Sequence, residues 1–257
     1  MRSSSLLLGL LVILYSVNSA AAERIVSLNA CYDQLLYQWV PDKLVGVTRW
    51  SDTSVAPQVS RHRGDVESIV ALNPDKVIAN QFTQPQLLQA LQPFTEVVVV
   101  EQPQRWRDYA DFLQALGQAS GAERQASKQL QQSQRLLERL RQLPAKSVLS
   151  VMANQYSWGR ETWFDSVMTA LGWKNLAAEK GTGLVSLRLE QVLQLAPDIV
   201  LWEGTTSPAF ALANQWLYHP VMQRWREQQH WRAVSSEIAS CPAVRWPEYI
   251  RAITQSD

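Results

Sequence analysis

From Ile25 onward, short apolar runs alternate with amphipathic stretches. Ile25-Val26-Ser27-Leu28, Leu44-Val45-Gly46-Val47, Val77-Ile78-Ala79 and Val97-Val98-Val99-Val100 read as buried strands, with helices predicted over 33–39, 66–72, 84–91 and about 105–116. Apolar strands separated by helices predict a mostly parallel sheet covered on both faces. Gly117 and Gly121 punctuate the chain, and the stretch from Glu123 to Leu143 then runs without Gly or Pro until Pro144 stops it. A second series follows: a strand from Val148 to Met152, a helix from Trp163 to Leu171, a helix over 189–195 and a strand over 199–202. It closes with helices around 208–227, a strand from Trp231 to Val234 and a last helix from Pro247.

One segment occurs in both series. Glu67-Ser68-Ile69-Val70-Ala71-Leu72-Asn73-Pro74-Asp75-Lys76-Val77-Ile78 is echoed by Glu190-Gln191-Val192-Leu193-Gln194-Leu195-Ala196-Pro197-Asp198-Ile199-Val200-Leu201, with the two Glu positions 123 residues apart. That spacing is far too long for a solenoid and suits two similar α/β lobes. In each copy a short helix begins near the Glu, whose carboxylate favours the positive end of the helix dipole, and must stop before the Pro. Pro-Asp then turns the chain into a buried strand. Arg188 and Leu189 stand where a simple cap is expected before Glu190, so the helix start in the second copy is left open.

The predicted organisation is a segment 1–22, an N-terminal lobe over 23–121, a helix over 122–143 and a C-terminal lobe over 144–257. A helix of about 20 residues spans roughly 30 Å, enough to bridge two lobes. Met1-Arg2, the apolar run Leu6 to Val17 and Asn18-Ser19-Ala20-Ala21-Ala22 have the regions of a secretory signal, with cleavage expected after Ala22. The apolar run is short of the ~20 residues that a membrane-spanning helix needs. No Cys follows the small residues, so the expectation is a soluble periplasmic protein and not a lipoprotein.

Composition changes the picture little: 257 residues, 46% hydrophobic and 18% charged, are ordinary for a globular chain. Removing 1–22 takes away Arg2 and no acid, leaving 23 basic against 23 acidic residues. That balance argues against a nucleic-acid partner, which calls for a basic face. Cys31 and Cys241 sit near opposite ends of an exported chain, where the compartment permits a bridge. A disulfide and a pair of buried thiols that never meet are both open on sequence alone.

The stretches Arg24 to Leu36, Glu67 to Ile78, Trp163 to Glu179 with its Leu171-Gly172-Trp173-Lys174-Asn175-Leu176, and Glu190 to Leu201 together resemble a known family across the mature chain. It is the substrate-binding proteins of ABC importers that carry cobalamin, ferric siderophores or haem. The resemblance implies two α/β lobes with mostly parallel sheets joined by one rigid helix, the class III arrangement. It also implies a monomer that delivers a small-molecule cargo to an inner-membrane permease, with no cofactor of its own. In this family an acidic residue on each lobe docks against the permease, and by motif position these are Glu67 and Glu190.

Open α/β sheets bind ligands beyond the carboxyl ends of their strands. The loops expected there carry Tyr32, Arg49, Trp50, Asn80, Gln81, Phe82 and Gln102 on the first lobe. On the second they carry Tyr156, Trp158, Arg160, Trp202, Glu203, Arg245 and Trp246. Trp50, Trp158, Trp202 and Trp246 suit a bulky conjugated ligand, and Arg49, Arg160 and Arg245 suit its anionic oxygens. Tyr32 offers a phenol to a haem iron, or else packs. His62, His219 and His230 have no metal-ligand spacing, so no metal site is expected.

The leading expectation is a receptor for a corrinoid or ferric siderophore, with a haem receptor, an exported enzyme or a sensor on the same scaffold as alternatives. The chain carries no His-Glu-x-x-His, Gly-x-Ser-x-Gly or Walker pattern, which weighs against an enzyme.

Overall fold

A computed structural model describes residues 22–51, 58–204, 212–228 and 231–254. The expected signal segment 1–22 lies outside these residues except for Ala22. The first lobe is built on β1 (Ile25–Ser27), β2 (Leu44–Thr48), β3 (Ser60–His62), β4 (Lys76–Ala79) and β5 (Glu96–Val99), with helices α1 (Ala30–Trp39), α2 (Val66–Val70) and α3 (Pro85–Leu91). Its strands run parallel in the order β3-β2-β1-β4-β5.

Two helices follow, α4 (Tyr109–Ser120) and α5 (Glu123–Leu140). Gly121 takes a left-handed conformation, φ 67°, to end α4 and reverse the chain. Gly117 lies inside α4 where a Cβ would stand 2.7 Å from the Cβ of Ala126 on α5, so its missing side chain permits the close pairing of the two helices. At 18 residues, α5 is about 27 Å long and stops at Leu140, short of the expected Leu143. It buries Ala126, Ser133, Leu137 and Leu140.

The second lobe holds β6 (Ser147–Val151), β7 (Tyr156–Trp158), β8 (Lys174–Asn175), β9 (Leu184–Ser186), β10 (Ile199–Glu203) and β11 (Trp231–Val234). Its helices are α6 (Trp163–Leu171), α7 (Leu189–Gln194), α8 (Pro220–Gln228), α9 (Ser236–Ala239) and α10 (Trp246–Thr254). Four strands form a parallel sheet in the order β11-β10-β6-β8, and β7 and β9 form a separate antiparallel ribbon. Part of the helical region expected at 208–227 falls outside the described residues; Leu212–Tyr218 is a 3-10 turn and α8 follows it.

The sequence repeat is a structural repeat. β1 pairs with β4 with Ile25 opposite Lys76, and β6 pairs with β10 with Val148 opposite Ile199. Each residue of the second pair lies 123 positions after its counterpart, the spacing of Glu67 and Glu190. The central strands are buried because both faces are covered, which is why they read as continuous apolar runs.

One core cluster runs through both lobes. It joins Ile25, Leu36 and Ile78 of the first to Val148, Leu201, Trp246 and Ile250 of the second through Tyr109, Phe112 and Leu137. Trp106 sits at the seam: its ring lies 5.2 Å from Tyr109, 5.9 Å from Trp163 and 4.6 Å from Trp246, and its backbone N–H donates to Ser166 Oγ at 2.9 Å.

Candidate functional site

In the first lobe, Asn29 caps α1, its Oδ1 accepting from the backbone N–H of Cys31 at 2.8 Å and of Tyr32 at 3.2 Å. That cap points Tyr32 inward. The ring is fully buried 5.5 Å from Phe112, and the hydroxyl donates to the Val100 carbonyl at 2.9 Å. Burial pushes the phenol far above its ordinary range. Tyr32 is a core residue, which corrects the expectation that it faces the cleft.

Asp33 is also buried and accepts from the Thr48 N–H at 3.1 Å and the Thr48 hydroxyl at 2.7 Å, tying α1 to the carboxyl end of β2. Burial pushes its carboxyl up to about 6, against the hydrogen bonds from Ser27 and Thr48. The loop beyond is held by Ser51 N–H to the Thr48 carbonyl at 3.1 Å and by the Arg61 guanidinium to the Ser51 carbonyl at 2.6 Å. On this platform Trp50 is 73% exposed, with the Arg49 guanidinium 4.7 Å from its ring. After β4, Asn80 accepts from the Phe82 N–H at 3.2 Å and turns the chain so that Phe82 is also exposed.

In the second lobe, β7 folds beside β6. Ser157 turns inward and its hydroxyl donates to the Ser150 carbonyl at 2.6 Å, so strand alternation puts Tyr156 and Trp158 together on the other face. Tyr156 is exposed and Trp158 half-buried. The Trp158 indole N–H donates to Glu203 Oε2 at 2.9 Å, and the Tyr249 hydroxyl donates to Glu203 Oε1. Glu203 is buried, and burial pushes its carboxyl up to about 7 against these two hydrogen bonds. Asn175 Nδ2 fixes the same turn by donating to the Trp158 carbonyl at 2.9 Å and to Asp165 at 3.0 Å.

Arg160 is exposed and donates to the Ala178 carbonyl at 2.7 Å, while Arg245 is half-buried with Nε 3.6 Å from Glu248. Two further expectations are corrected. Trp202 is buried among Trp216 and Trp231, because its place on β10 turns it to the lobe's own core. Trp246 is fully buried at the seam against Trp106. A concavity of about 930 Å³ lies between α1, α5 and α10, and no aromatic side chain lines it.

Cys31 and Cys241 form a disulfide with Cα atoms 5.4 Å apart, joining the first turn of α1 in one lobe to the segment between α9 and α10 in the other. Cys31 follows the carboxyl end of β1 closely, and Cys241 follows β11 by way of α9. Glu67 and Glu190 are both exposed in the first turns of α2 and α7. Asp65 caps α2 by accepting the Ser68 N–H at 2.7 Å, and Gln191 Oε1 accepts the Arg188 N–H at 2.8 Å, which supplies the helix start that Arg188 and Leu189 left open. A helix returning the chain to a parallel strand begins at the carboxyl edge of the sheet, so both Glu share that edge with Trp50 and Trp158.

Asp33, Trp106, Asn175, Glu203 and Tyr249 thus organise these loops, and of them only Glu203 is among the residues that the sequence places on the cleft loops. Among the described residues, no three His, Cys, Asp or Glu side chains are grouped to hold a metal ion, and no helix is long and apolar enough to cross a membrane.

A relative in Escherichia coli K12, the Fe(3+) dicitrate-binding periplasmic protein FecB, is 24% identical over 241 residues, covering 89% of this chain and 74% of the relative. The vitamin B12-binding protein of Yersinia pestis Pestoides F is 27% identical over 223 residues, covering 81% of this chain and 79% of the relative. The crystal structure of the periplasmic haem-binding protein HutB of Vibrio cholerae superposes with a TM-score of 0.71 at 22% identity, covering 89% of this chain and 97% of that one. The sequence profile of the periplasmic binding protein family matches residues 25–235, and the chain belongs to that family.

Proposed function

We propose that this chain is the receptor of an ABC importer and that it captures a corrinoid or a ferric siderophore between its lobes. The observation that carries the reading is the pair of aromatic edges: exposed Trp50 beside Arg49 on one lobe, and Tyr156 with Trp158 on the other, each beyond the carboxyl end of a central or neighbouring strand. Aromatic faces with nearby guanidinium groups fit a large conjugated or chelate ligand bearing anionic or amide oxygens. The names of the relatives, which cite ferric dicitrate and vitamin B12, support that class of cargo.

The mechanism is binding without bond chemistry. A continuous apolar core, α5 and an interlobe disulfide favour two lobes that clamp with little hinge motion. Export by residues 1–22, a periplasmic location, the lobe boundaries at 121 and 144, a monomeric state and docking to a permease through Glu67 and Glu190 belong to the same proposal. Haem is the second cargo, favoured by the name of HutB. Tyr32 is not its ligand, because the phenol is committed to the Val100 carbonyl in the core.

The test is a fluorescence titration of the mature protein with cyanocobalamin, ferric dicitrate, a ferric hydroxamate, a ferric catecholate and haemin, with native mass spectrometry of periplasmic protein for co-purified cargo. Saturable quenching by a corrinoid or ferric chelate is expected, weakened at least tenfold by Trp50→Ala or Trp158→Ala with little change in Tm. Binding of none of these probes removes the reading.

A further inference from the structure

Trp158 is treated differently from the buried tryptophans of this fold. The indole nitrogens of Trp163, Trp173, Trp216 and Trp246 are buried without a hydrogen-bond partner, so packing alone holds those rings. Trp158 is only half-buried, where water would satisfy its N–H, yet it donates to a buried carboxylate at 2.9 Å. Placing an acid there is costly, since a buried carboxylate loses its hydration. Two neutral donors, Trp158 and Tyr249, are its hydrogen-bond partners.

The duplication does not account for the acid. The position 123 residues before Glu203 is Asn80, whose side chain closes a local turn to Phe82 and Thr83. Glu203 instead reaches across to the ribbon. It is the last residue of β10, and its side chain turns to the face opposite Trp202, towards the core shared by the two lobes.

We propose that Glu203 is a positioning residue of the ligand site: it fixes the indole of Trp158 at the cleft edge of the second lobe, and Tyr249 holds the carboxylate from behind. This rests on the reading above that Trp158 contacts the cargo. A ring fixed before binding loses less freedom when the ligand arrives, which favours affinity and a single ligand orientation. Among the described residues, the groups bonded to the carboxylate are Tyr249 from α10 and Trp158 from β7, while β11 places Val234 opposite it and carries its one charged side chain, Arg232, two residues back, opposite Leu201. Because burial holds the Glu203 carboxyl near 7, its proton state changes in the neutral range and is reported at the indole N–H.

The test separates the two claims. In ¹⁵N-labelled protein without ligand, the Trp158 indole N–H resonance, assigned by its loss in Trp158→Ala, is expected to move with a midpoint near 7 and to stop titrating in Glu203→Gln. Titrated with cyanocobalamin and with ferric dicitrate, Glu203→Met is expected to weaken binding at least tenfold. Glu203→Gln, which keeps an acceptor for the indole, should stay within about threefold of the parent. Glu203→Met at parental affinity, with Trp158→Ala weakened, overturns the positioning role and leaves the cleft reading standing. An indole resonance indifferent to both pH and Glu203→Gln overturns it even if neither probe binds or Glu203→Met fails to fold.

Discussion

Asp75 and Asp198 hold equivalent places in the two lobes. Asp75 accepts the backbone N–H of Arg24 at 2.8 Å, and Asp198 accepts that of Ser147 at 2.7 Å, in each case 51 residues upstream; Arg24 immediately precedes β1 and Ser147 opens β6. The Pro-Asp of the repeat therefore does more than turn the chain. It closes the start of the neighbouring strand, where an unpaired N–H would otherwise mark the end of the β1–β4 or β6–β10 ladder.

Each lobe should accordingly lose stability when its Asp is removed. Hydrogen bonds to a charged acceptor contribute about 1.5–3 kcal/mol, and exposure at these sites reduces that to about 1–2 kcal/mol for Asp75→Ala or Asp198→Ala. The Asn variants, which keep an acceptor, should lose less. Urea unfolding measures both, and an Asp198→Ala protein as stable as its parent would show that the bond is incidental.

The repeat and the central strands were legible because a strand buried on both faces must be apolar along its whole length. β3 escaped because it is an edge strand whose Ser60 and Arg61 face water and only His62 is buried. The β7–β9 ribbon is too short and mixed to show a period. Loop membership was legible at the site, but side-chain direction was not. Tyr32 was assigned to the cleft from its place after β1, whereas the Asn29 cap sets it on the inner face of α1. Trp202 and Trp246 failed for the same reason, and Glu203 with Tyr249 joins residues too far apart in sequence for any local pattern to pair them.

The Cys31–Cys241 bridge should be measurable directly. Protein unfolded without reductant should resist alkylation and gain two labels only after reduction. Closing a loop of 210 residues stabilises by about 3–5 kcal/mol on chain-entropy grounds, so reduction should lower the urea midpoint markedly. Full labelling of freshly isolated protein before reduction contradicts the bridge.

Stability should also depend on pH through Glu203. Its carboxyl is raised from 4.5 to about 7 by burial, so the folded state holds a proton that the unfolded chain has released. The resulting stabilisation is present below about 4.5 and is lost as pH rises towards 7. Asp33, raised to about 6, has the same sign, while His62, held neutral by burial, has the opposite sign at lower pH. Both remain in Glu203→Gln and cancel in the comparison. Between pH 5 and 8 the parent should therefore lose about 2–3 kcal/mol relative to Glu203→Gln, and parallel stability curves for the two proteins would contradict the assignment.

The docking proposal rests on the two exposed Glu. The Glu67 side chain is 90% exposed, with Arg63 at 3.9 Å on its own helix edge, and Glu190 is exposed in the equivalent turn, so both are open to a partner. A permease of two matching halves can grip both lobes through equivalent salt bridges, and charges at such a rim govern association more than cargo binding. Glu67→Arg with Glu190→Arg would set like charges against the permease. Uptake into cells or permease-bearing vesicles should be abolished even with receptor in excess, while cargo affinity in solution stays within about threefold, or ~0.7 kcal/mol. The Gln pair, which removes charge without reversing it, should fall between parent and Arg pair. Undiminished uptake by the Arg pair would mean that this chain either meets its permease through other surfaces or does not serve one.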